Sequence, residues 1–393
     1  MKNKLPNGWI ETNLGNKEYF EILPSGLNKF SGEKKYLSTE SIKKTKIEKV
    51  ECKISYNNRP SRANMQPSLN SVWFAKMKNT LKIYSFDKNN KEEVDIYILS
   101  TGFAGIKINE QLVDIRYLRS YLLTTNFNNI KDSYCSGATQ KAIGNEKIAR
   151  IKILLPSLET QKQIVAILER AERLREKRKR ANELSAQYLK SVFYDMFGNP
   201  FLNNNDRVKM RKVIDIIVPT RDKPKSFTGN IPWVTIPDLK DSIYVEDAKN
   251  KLSIEEAKPT KARLFPKETV ILSCAASLGK VAIAKKEIYT NQQFYGLVCN
   301  KEEIMPEFLA FQLFIFGENY YKNIGGTSTL TFFRKEIALN IPIIKPSIAK
   351  QKEFAHIVKN FEMLKEKQKQ SEEKINHLYN NLMQKAFVGE LIK

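Results

Sequence analysis

The sequence predicts an α+β chain: two globular mixed α/β units separated by two long helices that pair as an antiparallel coiled coil, forming a pseudo-twofold internal repeat. Three observations predict it. An apolar-proline exit followed by Gln-Lys occurs twice, 190 positions apart: Ile151–Ser157 with Gln161-Lys162, and Ile341–Ser347 with Gln351-Lys352. Each occurrence opens a long stretch free of Gly and Pro with apolar residues at steps of three and four, the helical period. The segments before these stretches read as short strands bounded by turn residues.

Taken in order, residues 1–156 form the first globular unit. Val72–Ala75 and Asp95–Leu99 are its clearest strands, Asn57–Arg62 and Asp87–Asn90 its loops, and Ile115–Leu123 a short helix. The segment 157–198 is the central helix, spanning 158 to 197 and closed by Gly198-Asn199-Pro200, because glycine accepts the left-handed cap and proline cannot continue a helix. The second unit covers 199–346, with strands at Trp233–Ile236, Thr269–Leu272 and Val281–Ala284. The segment 347–393 is the C-terminal helix, spanning 348 to 387 and stopped by Gly389. The units are related more distantly than the helices. Phe103-Ala104-Gly105 stands 191 positions before Phe294-Tyr295-Gly296, as Tyr117-Leu118 does before Phe308-Leu309. Gly137-Ala138-Thr139 stands 190 positions before Thr327-Ser328-Thr329.

The expected seam of the first helix is Ile164, Leu168, Ala171, Leu174, Arg178, Ala181, Ser185, Tyr188 and Val192. The second is Phe354, Val358, Phe361, Leu364, Gln368, Ser371, Ile375, Leu378 and Leu382, each 190 positions on. Antiparallel pairing about the midpoint brings Arg178 near Gln368, where a buried polar pair would fix register; the alternative is that both reach out to solvent. A helix of about 38 residues is roughly 57 Å long, or roughly 17 base-pair steps of duplex DNA. Two separated readers with an unread gap follow from that length.

The chain has 393 residues, 41% of them hydrophobic and 10% aromatic, enough for packed cores. Its 66 Lys and Arg against 43 Asp and Glu give +23, which points to a polyanion, usually nucleic acid; a lysine- and asparagine-rich genome also contributes. Cys52, Cys135, Cys274 and Cys299 form no CxxC pair, so neither a zinc knuckle nor a disulfide framework is expected. The two histidines, His356 and His377, both fall in the second helix, which argues against a histidine metal site or a Ser-His-Asp triad. The first residues lack the apolar core of a signal peptide, and Phe308–Phe316 is too short to span a bilayer, so a cytoplasmic protein is expected.

Several motifs carry a family resemblance. Leu5-Pro6-Asn7-Gly8-Trp9 looks like the opening, and Leu155–Ile164 like the entry to the central spacer helix, of specificity subunits of type I restriction-modification systems. Gly229–Val234 and Thr290–Phe294 resemble one class of that family's target-recognition domains. Pro60–Met65 resembles a different class. The resemblance covers nearly the whole chain. It implies a sequence-specific, non-catalytic DNA-binding subunit with one recognition domain per half-site and an asymmetric bipartite target. It also implies two methyltransferase subunits binding S-adenosylmethionine and two ATP-dependent restriction and translocation subunits, with Mg²⁺ likewise on the partners. Consistent with that, the chain has no Asn/Asp-Pro-Pro-aromatic motif, and Ser277–Val281 lacks the flanking residues of a phosphate-binding loop.

Base readout needs Arg, Lys, Asn or Gln on loops, with further cations on phosphates. The candidates in the first unit are Arg59, Arg62, Asn64, Gln66, Lys76, Lys78, Asn79, Thr139, Gln140 and Lys141. Those in the second are Arg221, Lys223, Lys225, Lys280, Gln292, Gln293, Ser328 and Thr329. Trp73 and Trp233 are read as core. The basic run Arg173–Arg180 is read as a solvated helix face, and the outer faces of both helices as docking surfaces for the methyltransferase subunits. Two other readings compete: a Mg²⁺-dependent nuclease using Asp238, Asp247 and Lys249, and a coiled-coil scaffold for protein interactions.

Overall fold

The computed structural model describes residues 5–137, 141–201, 207–220, 222–275, 277–324 and 332–392. The chain forms two compact units, Met1–Lys177 with Glu372–Lys393, and Arg178–Ser371. Each unit therefore contains half of both long helices, whereas the sequence division placed boundaries at the helix ends. The reason is that each helix half shares a core with its own unit, Leu168 and Met383 with the first and Phe193 and Phe354 with the second.

In the first unit, Ile10–Asn13 pairs antiparallel with Lys152–Leu155. One four-stranded antiparallel sheet runs in the order Phe20–Ile22, Phe103–Ile108, Ser71–Ala75, Ile83–Phe86. A second runs Cys52–Ile54, Lys34–Leu37, Tyr97–Ser100, Ala63–Met65, with its two central strands parallel. All five residues of Ser71–Ala75 are buried, a run packed on both faces rather than an alternating one. Trp73 is core, its indole N–H donating to Ser71 Oγ at 2.8 Å. Its ring lies across the neighbouring strand at Gly105, where any Cβ would come within 2.6 Å of it. Helices Ile115–Leu122 and Thr125–Tyr134 cover the sheet, the second capped by Thr124, whose hydroxyl accepts from Phe127 N–H.

The second unit repeats this plan. Arg207–Lys209 pairs with Pro342–Ile344. The first sheet runs Ile214–Ile217, Phe294–Cys299, Val270–Ser273, Val281–Ala284, with Tyr244–Val245 added parallel at its edge. The other runs Asn250–Leu252, Ile231–Val234, Ile288–Thr290, Leu264–Phe265, again with a parallel central pair. Gly296 repeats the close approach of Gly105, here beneath the Phe265 ring at 2.6 Å. Helix Pro306–Ile324 bends at Gly317, whose φ is 68°. Strand order thus makes Lys34–Leu37 the counterpart of Ile231–Val234, so Trp73 and Trp233, both core, do not occupy equivalent strands.

The long helices are Leu158–Phe197 and Ile348–Ala386. Within the first unit, Ile164, Val165 and Leu168 share a core with Met383 and Ala386, and Arg175 Nε donates to Asn376 Oδ1 at 2.8 Å. Within the second, the Phe197 and Phe354 rings meet at 5.5 Å, and Gln368 Nε2 donates to Ser185 Oγ at 3.1 Å. In both, rising numbers on one helix meet falling numbers on the other, so the halves pair antiparallel.

The seam differs from the expected one at two of nine positions in each helix. Leu174, Tyr188, Leu364 and Leu378 are exposed, at 48%, 63%, 48% and 51%. Arg175, Leu189, Lys365 and Tyr379, one residue further on, are turned inward instead. Leu168, Ala171 and Val358 are buried. Arg178, Ala181, Val192, Phe361, Gln368, Ser371 and Leu382 are half-buried. At three of these four positions the less apolar residue of the pair faces in (Arg175, Lys365 and Tyr379 rather than Leu174, Leu364 and Leu378), whereas Leu189 is the more apolar of its pair. Gln368 pairs with Ser185, seven residues beyond the expected Arg178, whose Nε has no hydrogen-bond partner.

Candidate nucleic-acid interface

In the first unit, strand Ser71–Ala75 runs into the turn 76–82, and three distant segments close on it. Lys76 N–H donates to Gly102 O at 2.9 Å, Ile143 N–H to Lys76 O at 3.1 Å, and Lys78 N–H to Lys141 O at 2.9 Å. Thr101 N–H donates to Arg62 O at 2.8 Å, bringing in the start of strand Ala63–Met65. Arg62, Lys78, Asn79 and Lys141 are exposed around this junction, and Lys76 is half-buried, its pKa lowered by burial. Lys147 joins them from helix Asn145–Ala149, donating to Tyr134 O at 3.0 Å and Ser136 Oγ at 3.2 Å. Cations and an amide gathered on short, bonded loops suit phosphate contacts with base readout between them.

The second unit builds the same junction from different residues. Cys274 N–H donates to Gln293 O at 2.8 Å, as Lys76 does to Gly102, and Phe333 N–H donates to Cys274 O at 3.0 Å, as Ile143 does to Lys76. The Ala275–Phe332 bridge repeats the Met77–Ala142 bridge. Lys280 and Gln292 are exposed here. The Gln293 side chain instead accepts from Asn291 Nδ2 at 3.0 Å. Burial pushes the Cys274 thiol up to about 12, so it is a packing residue and not a nucleophile.

Other sequence candidates are placed differently. The Arg59 guanidinium lies over the Tyr56 ring at 4.4 Å and bonds to Tyr56 O, so its own loop holds it. Asn64 is half-buried in its strand, where its carbonyl accepts from Gly26 N–H, and Gln66 is half-buried beside it. Lys223 and Lys225 are exposed on the connection between Ile214–Ile217 and Ile231–Val234. Glu256 anchors that connection through Ser226 Oγ at 2.5 Å and Thr228 N–H at 3.0 Å, and the Ser226 hydroxyl helps hold its carboxyl down at about 2. Thr220 Oγ1 donates to Thr260 O at 2.9 Å, tying the start of the connection to the loop before strand Leu264–Phe265. Thr139, Gln140, Arg221, Ser328 and Thr329 lie outside the described residues.

Sequence reasoning missed Thr101, Gly102 and Arg263. Arg263 is exposed just before strand Leu264–Phe265, where Arg62 stands before Ala63–Met65. The signal was an Arg-apolar pair in both copies, but its spacing departs from 190 and is legible only once the sheets are matched.

The carboxylates of the nuclease reading do local work. Asp238 Oδ2 accepts from Thr235 N–H at 2.8 Å and Thr235 Oγ1 at 2.6 Å, while its Oδ1 accepts from Lys249 N–H at 3.1 Å. Asp247 pairs with Lys251 at 3.0 Å. Among the described residues, no group of three or more His, Cys, Asp or Glu is placed to hold a metal ion, and no helix is long and apolar enough to cross a membrane.

A family model for the type I restriction modification DNA specificity domain matches residues 14–186 and 203–377. The MjaIX specificity subunit of Methanocaldococcus jannaschii is 30% identical over 164 residues, 41% of this chain and 38% of that protein. The HindI specificity subunit of Haemophilus influenzae is 27% identical over 132 residues, 33% of this chain and 28% of that protein. The chain thus spans 38% and 28% of the length of these two relatives. The HsdS subunit of Thermoanaerobacter tengcongensis superposes with a TM-score of 0.53 at 21% identity, covering 99% of both chains. A chain solved in work on complex assembly and conformational transition of the type I R-M system superposes with a TM-score of 0.68 at 21% identity, covering 99% of this chain and 100% of that one. At these identities the superpositions show a shared fold.

Proposed function

This chain belongs to the type I restriction modification DNA specificity domain family, and from that premise we propose that it is the sequence-reading subunit of a type I restriction-modification complex. It binds duplex DNA through one junction in each unit and performs no chemistry itself. One observation carries this reading: three segments meet through the same backbone bonds in both units, Lys76 with Gly102 and Ile143 in one and Cys274 with Gln293 and Phe333 in the other, yet the exposed side chains around them differ. Lys78, Asn79 and Arg62 stand in one copy, and Lys280 and Gln292 in the other. A shared scaffold with different tips suits two different half-sites, hence an asymmetric bipartite target. The net charge of +23 supplies the attraction to phosphate.

The complex comprises two methyltransferase and two restriction-translocase subunits in the cytoplasm, with S-adenosylmethionine, ATP and Mg²⁺ held by the partners. Exposed Leu174, Tyr188, Leu364 and Leu378 make the outer helix faces suited to docking the methyltransferases. The test is coexpression with a methyltransferase subunit encoded beside it, followed by mapping of methylated adenines. The expected result is two unlike half-sites with a fixed unread gap. A continuous or palindromic motif, or no added methylation, counts against the reading.

A further inference from the structure

Lys131 is 1% exposed, on helix Thr125–Tyr134 directly under the turn that carries Lys78 and Asn79. Its ammonium donates to Met77 O at 3.0 Å and Thr80 O at 2.7 Å, and lies 3.2 Å from Asp132 Oδ1. Those three partners match the three N–H bonds an ammonium offers, which is what burying a lysine requires. Asp132 completes the arrangement, because Asn79 N–H points at both its carboxylate oxygens, at 3.1 Å each. Asn79 has φ of 58°, a left-handed conformation that a non-glycine residue keeps only where its surroundings fix it. With Lys78 N–H on Lys141 O, these inward polar groups of Met77–Thr80 are bonded, while the Lys78 and Asn79 side chains project outward.

The second unit uses the equivalent position for the same purpose by other means. Tyr321, 190 residues after Lys131, is fully buried against Gly279 of the segment 277–280. Its ring fills the space a Cβ at Gly279 would occupy, 2.2 Å from Tyr321 Cδ2, and stacks on Phe333 at 5.6 Å. The position therefore supports the reading turn in both copies, by hydrogen bonds in one and by an aromatic floor in the other.

We propose that Lys131 and Asp132 are positioning residues for recognition of the first half-site: they touch no DNA, but fix the turn that delivers Lys78 and Asn79. This rests on the DNA-reading function proposed above. A side chain that must meet a base edge bidentately loses its discrimination when its backbone wanders, whereas a phosphate contact tolerates the movement. Lys131→Met keeps the length of the side chain and removes the donors. Asp132→Asn keeps the shape and removes the charge, and serves if the first variant is poorly folded.

The test uses the full chain with its methyltransferase subunits, and duplexes carrying single substitutions in either half-site. Both variants are expected to lose at least about tenfold in the ratio of cognate to substituted first-half-site affinity. Ratios at the second half-site, non-specific affinity and salt slope should stay within about twofold, because no phosphate contact is removed. Unchanged ratios at the first half-site, or a parallel fall at both half-sites, overturn the proposal. If the wild-type complex selects no bipartite target, the underlying function fails instead, so the two failures are distinguishable.

Discussion

Gln161 is fully buried at the start of the first long helix, and every polar atom of its amide is used. Its Nε2 donates to Leu112 O and Pro156 O at 3.0 Å, and its Oε1 accepts from Asp114 N–H at 2.9 Å. Gln351 repeats the pattern, donating to Glu303 O at 3.1 Å and Pro346 O at 2.8 Å and accepting from Met305 N–H at 3.0 Å. The repeated Gln was visible in the sequence, but its role was not, because two of the three partners lie 46 to 49 residues earlier in the chain. Each Gln stitches the helix start to an earlier loop, the one before helix Ile115–Leu122 in the first unit and the one before Pro306–Ile324 in the second. Replacing Gln161 by Leu leaves one amide and two carbonyls buried without partners, at about 1–3 kcal/mol apiece where water cannot reach them. We predict a loss of about 3 kcal/mol for Gln161→Leu and a similar loss for Gln351→Leu, read from urea unfolding midpoints. A change under about 1 kcal/mol at either site would show that the network contributes little.

On the helices, periodicity gave the extent of each element nearly to the residue and seven of the nine seam positions in each. The other two escaped because burial there is decided by pairing geometry rather than by hydropathy. Arg175 lies inward although Leu174 is the more apolar of the two: its guanidinium sits over the Tyr379 ring at 4.3 Å while Nε bonds to Asn376. The long stem and flat head of arginine satisfy both demands of a half-buried site. Leu174, at 48% exposure, has no comparable anchorage. Arg175→Ala is therefore predicted to cost about 1–2 kcal/mol, from a lost cation–π contact and a lost hydrogen bond. Leu174→Ala should stay within about 0.5 kcal/mol. The reverse ranking in a urea or thermal series would return Leu174 to the seam. Strands followed the same logic. Isolated apolar runs such as Val281–Ala284 were legible, but the match of Lys34–Leu37 to Ile231–Val234 depends on sheet order, which no local pattern encodes.

Over the whole chain, strand order, helix length and the buried glutamines repeat, and the residues at the reading junctions do not. A common scaffold with different tips is what the proposed reading of two unlike half-sites at a fixed spacing calls for. If the helices set that spacing, it should respond to their length in a quantised way. The seam recurs every seven residues, as in Leu168, Arg175, Asn182 and Leu189, so removing one heptad from each helix preserves the pairing faces. Deleting Glu176–Asn182 together with Lys369–Ile375 retains Arg175 with Asn376 and Ser185 with Gln368. Each helix shortens by about 10.5 Å, the length of about 3 base pairs of duplex. The methylated motif of the deletion variant should keep both half-sites unchanged and lose about 3 base pairs from the gap between them. A gap of the original length, with both half-sites still read, would mean that something other than these helices measures the distance. Deleting the heptad from one helix alone mismatches the seam, and the expected outcome there is loss of stability rather than a shorter gap.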